Sequence, residues 1–80
     1  GKMLKESDLF LKHGYVSNNV NFAYGVLSKR VIVSIDRKKG KVIYWDVKGV
    51  KGGVKADMKT TTIKSFLNWA VADITCKEKQ

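Results

Sequence analysis

Alternating apolar and polar positions in the middle of the chain give the clearest structural pattern. Residues 30–36 read RVIVSID, residues 41–47 read KVIYWDV, and the RKKG segment between them ends in a glycine. Alternating runs rich in Val, Ile, Tyr and Trp are typical of strands. A four-residue loop that ends in glycine, which tolerates positive φ, is a common hairpin connection. The pattern predicts an antiparallel hairpin over 30–47.

The register of this hairpin determines which side chains share a face. If Asp36 pairs with Lys41, one face carries Val31, Val33, Ile35, Val42, Tyr44 and Asp46, and the other carries Arg30, Ile32, Ser34, Ile43, Trp45 and Val47. Neither face is wholly polar. We therefore expect either a small barrel or a sheet that is covered on one side and bears a mixed binding surface on the other.

The two ends of the chain carry helical patterns. Residues 3–13 have apolar positions at helical spacing, and Gly14 stands where a left-handed C-cap would lie. Residues 60–62 are threonines, and a threonine N-cap would begin a helix that runs to about Ile74. The apolar stripe of this helix is Ile63, Phe66, Leu67, Ala70, Val71 and Ile74, with Trp69 at its edge. Between the hairpin and this helix, residues 54–59 alternate as a half-buried strand does.

Residues 15–28 fit two patterns. Val20, Phe22, Tyr24 and Val26 alternate as in a strand after an Asn18-Asn19 turn, whereas Val20, Ala23, Tyr24 and Leu27 fit a helix capped by Asn18 or Asn19. Gly25 and the aromatic, β-branched content favour the strand.

These patterns together predict an α+β fold, in which an antiparallel β-meander of three or four strands is flanked by an N-terminal and a C-terminal helix. An SH3-like barrel is one form of this architecture. If residues 15–28 are helical instead, the chain becomes a helix pair followed by a β-hairpin wing, as in a winged-helix layout.

Chain length and composition predict one folded domain. Eighty residues with a hydrophobic fraction of 44% allow one core, over 1–80, with residues 75–80 as a frayed tail. No apolar run is long enough to cross a bilayer, and no signal-peptide pattern opens the chain. The lone cysteine, Cys76, cannot form an internal disulfide, which favours a reducing cytoplasm.

Catalytic chemistry has little support in the sequence. The aspartates are scattered with no spacing that proposes a catalytic pair, and His13 and Cys76 are the only imidazole and thiol. His13 is interpreted as a residue at a helix end. One His and one Cys cannot supply the ligands of a structural zinc site, and Lys51-Gly52-Gly53 lacks the spacing of a phosphate-binding loop. We expect no enzyme activity, no cofactor and no metal.

Charge is the strongest functional signal. The net charge is +9, and residues 29–59 hold ten of the sixteen basic side chains against three acids. A concentration of cations attracts polyanions, and displaced counterions drive binding to a phosphate backbone. Lysine far outnumbers arginine, which favours phosphate contacts over base reading. The candidate nucleic-acid-binding residues are Lys29, Arg30, Arg37, Lys38, Lys39, Lys41, Trp45, Lys48, Lys51, Lys55 and Lys59.

The sequence therefore predicts an accessory or regulatory domain that binds nucleic acid through a basic hairpin and the loop after it, with DNA and RNA both open. The alternative is a protein-interaction module or inhibitor that docks on an acidic protein through charge, with Trp45 and Trp69 as its anchors. Attachment to an anionic membrane is not expected, because the cations lie in strands and loops rather than on an amphipathic helix. Oligomeric state is left open.

Overall fold

The computed structural model describes residues 3–75, and these residues form a mainly antiparallel β fold with one short helix. Elements in chain order are a 3₁₀ turn (Glu6–Asp8), β1 (Gly14–Val16), β2 (Phe22–Ala23), β3 (Val26–Leu27), β4 (Lys29–Asp36), β5 (Lys41–Val50), β6 (Gly53–Thr62), α1 (Ile63–Trp69) and β7 (Ala72–Asp73). Five strands form one sheet in the order β6-β5-β4-β1-β7, and β2 and β3 form a separate two-stranded sheet.

The predicted fold class is wrong in two respects. The large sheet has five strands rather than three or four, and no helix flanks it at either end of the described chain. The sheet is also open rather than an SH3-like barrel, because β6 and β7 lie at its two edges without pairing to each other. The winged-helix alternative is wrong as well, since residues 22–27 form the β2–β3 hairpin.

The predicted N-terminal helix over residues 3–13 is replaced by one 3₁₀ turn and an irregular segment. Its chain runs beside β4, where the backbone N–H of Lys12 donates to the Ile32 carbonyl and the Ile32 N–H donates to the His13 carbonyl. Lys12 has a φ of 68°, which no α-helix contains. Pairing with a distant strand therefore overrides the helical spacing of this segment.

The C-terminal helix begins where the sequence places it but ends early. The Thr62 hydroxyl accepts a hydrogen bond from the Ser65 N–H, so the predicted threonine N-cap is confirmed. The helix ends at Trp69, because Ala70 is extended and the following residues pair with β1 as β7. Residues 76–80, which include Cys76 and most of the predicted tail, lie outside the described residues.

The predicted central hairpin is confirmed and extended. Asp36 pairs with Lys41, and Gly40 takes a φ of 67° at the end of the loop. The Asp36 carboxylate accepts the backbone N–H groups of Lys38 and Lys39, which holds the loop in a turn. A second hairpin then joins β5 to β6 through Lys51 and Gly52.

A bulge at Val33 changes the faces predicted for β4. The register shifts between Ile32 and Ser34, so Ile32 pairs with Tyr44 and Arg30 with Asp46. One extra residue reverses every side chain before it. Arg30 and Ile32 therefore lie on the face of Val42 and Tyr44, which we call the core face. The opposite face carries Val31, Trp45 and Met58 in one row, and we call it the open face. The β2–β3 hairpin packs on this face at Gly49, beyond the row.

The core lies between the core face, α1 and the N-terminal segment. Its buried members are Leu9, Tyr15, Ile32, Val42, Tyr44, Ile63, Phe66 and Ala70. The Phe66 ring makes edge contacts with both Tyr15 and Tyr44, at centroid distances of 5.5 and 5.7 Å. This core covers only the half of the sheet near the 37–40 loop. The far half of the core face is left for polar side chains.

Candidate functional site

The eleven candidate residues do not form one continuous patch. Arg37, Lys38, Lys39 and Lys41 lie at the loop between β4 and β5, and we call them the tip cluster. Lys29, Arg30, Lys48, Lys51 and Lys55 lie on the other half of the sheet. Lys59 pairs with Tyr44 between the two halves, and its ammonium reaches Asp46 on the far half. We call these six residues the cleft cluster. Strand β4 separates the two, and its length of eight residues corresponds to roughly 25 Å.

The tip cluster surrounds an exposed loop with two acids nearby. The Arg37 guanidinium is 2.9 Å from the Glu6 carboxylate, and both side chains are about half exposed. Asp36 turns its carboxylate into the loop. The recess beside Arg37 is lined mainly by apolar side chains such as Phe10 and Val33. This cluster therefore offers charge to a polyanion but little matching shape.

Three members of the cleft cluster, Lys29, Arg30 and Lys48, line a recess of about 810 Å³ at the uncovered half of the sheet. Its walls combine cationic, amide and aromatic side chains. They include Lys29, Arg30, Lys48, Asp46, Trp69 and the amides Asn18, Asn19, Asn21 and Asn68. A cleft of this composition can contact phosphates with its cations, base edges with its amides and a base plane with its aromatic group.

Arg30 is the best-fixed cation of the cleft. Its guanidinium carbon lies 4.0 Å from the Trp69 ring centroid and 4.7 Å from that of Tyr44. Cation–π contacts of this length favour a guanidinium, which stays charged and planar. The aromatic residues thus hold a permanent positive charge at the cleft wall.

Acidic and basic side chains form a grid on the core face beside this cleft. Asp46 pairs across the strands with Asp57, and Lys48 pairs with Lys55. The Lys48 Nζ is 3.8 Å from the Asp46 carboxylate, and the Lys55 Nζ is 3.6 Å from that of Asp57. Like charges directly opposite each other destabilise a sheet. An anion bound over Lys48 and Lys55 would relieve that repulsion.

Lys59 also belongs to this grid, although its side chain is about half exposed. Its ammonium donates to the Asp46 carboxylate at 2.8 Å, and this hydrogen bond raises the pKa of Lys59 above its ordinary value. Asp46 therefore partly neutralises Lys59 and Lys48 together. The ion pairs of Lys48 and Lys55 are longer than that of Lys59, at 3.8 and 3.6 Å against 2.8 Å. These two ammonium groups are therefore less neutralised than Lys59.

Trp45 lies away from the other candidate residues. It is on the open face, 38% exposed, in the row between Val31 and Met58. It contributes to neither the cleft nor the tip cluster. The aromatic residue of the cleft is instead Trp69, at the end of α1.

Sequence reasoning missed the amides of the cleft and the role of Trp69. Asn18 and Asn19 mark a turn in the sequence, and nothing in their spacing relates them to Asn68. The sequence feature that could have indicated these amides is the high density of asparagine in residues 18–21, shortly before the segment rich in cations.

His13 is not at a free helix end. Its Nδ1 lies 2.6 Å from the Asp73 carboxylate, which also accepts the Thr75 N–H. Burial of Asp73 would raise its pKa, but the hydrogen bonds from His13 and Thr75 outweigh burial and lower it below its ordinary value. The pair ties the N-terminal segment to β7. Among residues 3–75, no three His, Cys, Asp or Glu side chains come together as a metal site requires.

Within residues 3–75, the structure contains no helix with the length and apolar character needed to cross a bilayer. No protein-family model, curated protein or solved structure matches the chain.

Proposed function

We propose that this protein is an accessory or regulatory domain that binds single-stranded nucleic acid in the cleft between Arg30 and Lys48. The observation that supports this most is the composition of the cleft, which joins fixed cations, amides and an aromatic ring in one recess. Lysines that served only to keep the protein in solution would not need amides and an aromatic ring beside them. Single strands can use all three chemistries because their bases are unstacked and accessible.

The path of the bound strand follows from the grid beside the cleft. Lys48 and Lys55 lie directly opposite each other on β5 and β6, and Lys51 is in the turn beyond them. A backbone leaving the cleft would pass over these three ammonium groups. The tip cluster lies at the other end of β4 and is not part of this path. We also propose a cytoplasmic location, where such a ligand and a reduced Cys76 would both be found.

Fluorescence anisotropy with labelled oligonucleotides of about twelve nucleotides, at two salt concentrations, tests the assignment. The double variant Lys48→Ala, Lys55→Ala removes two cations beside the cleft. Its matched control, Lys38→Ala, Lys39→Ala, removes two cations from the tip. We expect the first pair to lower the salt slope of single-strand binding by about 1.4, since each phosphate contact contributes about 0.7. The control pair should change the slope little.

Three results would contradict the proposal. Equal losses from both pairs would mean that net charge, rather than the cleft, governs binding. Equal affinity for a polyglutamate peptide of matching charge would mean that the protein recognises acidic chains in general. Tighter binding to duplex than to single strands would transfer the assignment to the projecting β5–β6 hairpin.

A further inference from the structure

Strand β6 is a long, open sheet edge. Its residues 53–62 pair with β5 on one side, and no other strand among residues 3–75 pairs with the second side. Proteins usually keep such edges short or interrupt them with proline, bulges or inward charges. This edge contains no proline, and its pairing with β5 shows no bulge. It does carry three charged residues on the core face, Lys55, Asp57 and Lys59. They alternate in sign, so they repel a partner strand in some registers only.

The hairpin turn determines which backbone groups of β6 point outward. Val50 and Gly53 flank the two-residue turn, and such a pair exchanges both of its hydrogen bonds. Alternation along an antiparallel pair then directs the N–H and C=O of residues 54, 56, 58, 60 and 62 away from β5. These residues form a regular hydrogen-bonding edge.

The side chains of these outward residues belong to the open face. Met58 and Val54 are 54% and 58% exposed, and Met58 continues the row of Trp45 and Val31. The apolar row therefore ends at the open edge rather than at a polar margin. A partner strand added at this edge would extend the row and cover Met58.

The order of charges on β6 favours a second copy of the same strand. In an antiparallel pair centred on Met58, Asp57 of each copy faces Lys59 of the other, and Met58 faces Met58. Centring on Asp57 instead places Asp57 against itself and Lys55 against Lys59. Centring on Ala56 pairs Lys55 with Asp57 but aligns only residues 53–59, whereas the Met58 register aligns residues 54–62.

We propose that two copies of this chain associate edge to edge through β6, antiparallel about Met58, into one continuous sheet. The Val31–Trp45–Met58 row of one copy then meets the same row of the other across the two-fold axis. An interface of one strand and one apolar row is small, so association is concentration-dependent. This interface uses the open edge and open face, and it leaves the cleft accessible.

Sedimentation velocity on nuclease-treated protein from about 1 µM to about 1 mM measures this association without the proposed ligand. Met58→Lys places two ammonium groups at the two-fold axis and should raise the dimer dissociation constant at least about tenfold. Leu11→Lys is the matched control, because Leu11 has the same exposed fraction of 54% and lies away from β6. It should leave the dissociation constant unchanged.

A wild-type protein that stays monomeric over this range would overturn the proposal and leave the edge to a strand from a different protein. Equal weakening by Met58→Lys and Leu11→Lys would also overturn it, since that result would indicate nonspecific apolar association.

Charge exchange tests the register. Asp57→Lys places a new lysine opposite Lys59 of the other copy, and Lys59→Asp places a new aspartate opposite Asp57, so each variant alone should self-associate less than the wild type. An equimolar mixture restores both attractive pairs and should form heterodimers. Normal self-association of Lys59→Asp would overturn the Met58 register, because the Ala56 register places no charge opposite residue 59.

A folding control accompanies the charge exchange. Circular dichroism checks that Lys59→Asp, which loses its hydrogen bond to Asp46, is folded. Met58→Lys removes no ion-pairing group and tests the interface independently of the Asp46 contact.

Discussion

The guanidinium of Arg30 lies against the indole ring of Trp69, at 4.0 Å from its centroid. This contact joins the start of β4 to the end of α1, and the same guanidinium is 5.8 Å from the ring centroid of Phe66, which is fully buried. The cation of the cleft is therefore positioned by the edge of the hydrophobic core. The Arg30 side chain therefore both supplies charge to the cleft and packs against the aromatic residues of the core.

The variant Arg30→Lys separates the effect of the positive charge from the effect of the planar guanidinium. Lysine keeps the charge but loses the planar guanidinium that contacts the indole. We expect single-strand affinity to fall by about fivefold, corresponding to roughly 1 kcal/mol for a lost cation–π contact. Fluorescence anisotropy measures the change. Arg37→Lys at the tip is the control and should have no effect; equal losses in both variants would remove the special role assigned to Arg30.

The contact between Gly49 and the β2–β3 hairpin gives a prediction for stability. A Cβ on Gly49 would lie 1.8 Å from the Ala23 carbonyl oxygen and 2.8 Å from the Val26 Cβ. Gly49→Ala must therefore displace the hairpin from β5, at a cost of about 1–3 kcal/mol in the free energy of unfolding. Urea denaturation measures this cost. Gly53→Ala is the control, because its Cβ would meet nothing within 4 Å; a similar loss there would show that the contact is not the cause.

Local patterns in this sequence predicted the hairpins better than the helices. The Asp36–Lys41 pairing and the Thr62 cap depend on residues close in the chain, and both are confirmed. The N-terminal segment has apolar positions at helical spacing, but in the structure it buries Leu9 and leaves Phe10 and Leu11 exposed. Backbone pairing with β4, which involves residues far along the chain, decides its structure.

The candidate site also combines features that local sequence predicts with features that depend on distant residues. The cations can be read directly from the sequence, but the extended strand β4 separates the tip from the cleft, and no local pattern in the sequence predicts this separation. The bulge at Val33 places Arg30 on the core face, and one inserted residue cannot be detected from alternation alone. The cleft assembles residues from four separate segments, so its shape depends on the complete fold.

Tyr15 gives a prediction for alkaline pH. Its buried hydroxyl donates to the Asp8 carbonyl at 2.7 Å and accepts the Phe10 N–H at 2.9 Å. Burial raises the pKa of Tyr15 to about 12 from 10.0. The protonated hydroxyl therefore stabilises the fold fully below pH 10, and this contribution is lost as the pH rises towards about 12. Tyr15→Phe should cost about 1–3 kcal/mol at neutral pH, since two backbone groups lose their partner.

Two measurements check the Tyr15 prediction. Absorbance titration should show a tyrosinate transition near pH 12 that is missing from Tyr15→Phe. Urea denaturation at neutral pH should show the loss of stability in Tyr15→Phe but not in Tyr24→Phe, whose side chain is 71% exposed. A transition near pH 12 that survives in Tyr15→Phe would contradict the assignment.

The contact between His13 and Asp73 predicts how stability changes in acid. The pKa of Asp73 is lowered from 3.8 in the folded protein, because hydrogen bonds from His13 and Thr75 outweigh the opposing effect of burial. A carboxylate whose pKa is lowered by folding stabilises the fold at any pH above its pKa in the unfolded chain. This contribution is lost as the pH falls through its pKa in the folded protein. Asp73→Asn should therefore be less stable than the wild type by about 1–2 kcal/mol at neutral pH. That difference should shrink as the pH falls below 3.8.

Urea denaturation of both proteins across this pH range measures the Asp73 effect. Glu6→Gln is the matched control, because it removes a carboxylate whose ion pair with Arg37 is about half exposed and so contributes little. A difference between Asp73→Asn and the wild type that stays constant down to the lowest pH would mean that the carboxylate charge is not what stabilises the junction. The loss of stability in Asp73→Asn would then come from the introduced amide disturbing the contacts of residue 73. A difference that disappears in acid would instead assign the stability of the β1–β7 edge to the ionised Asp73, since β7 pairs only with β1 among the described strands.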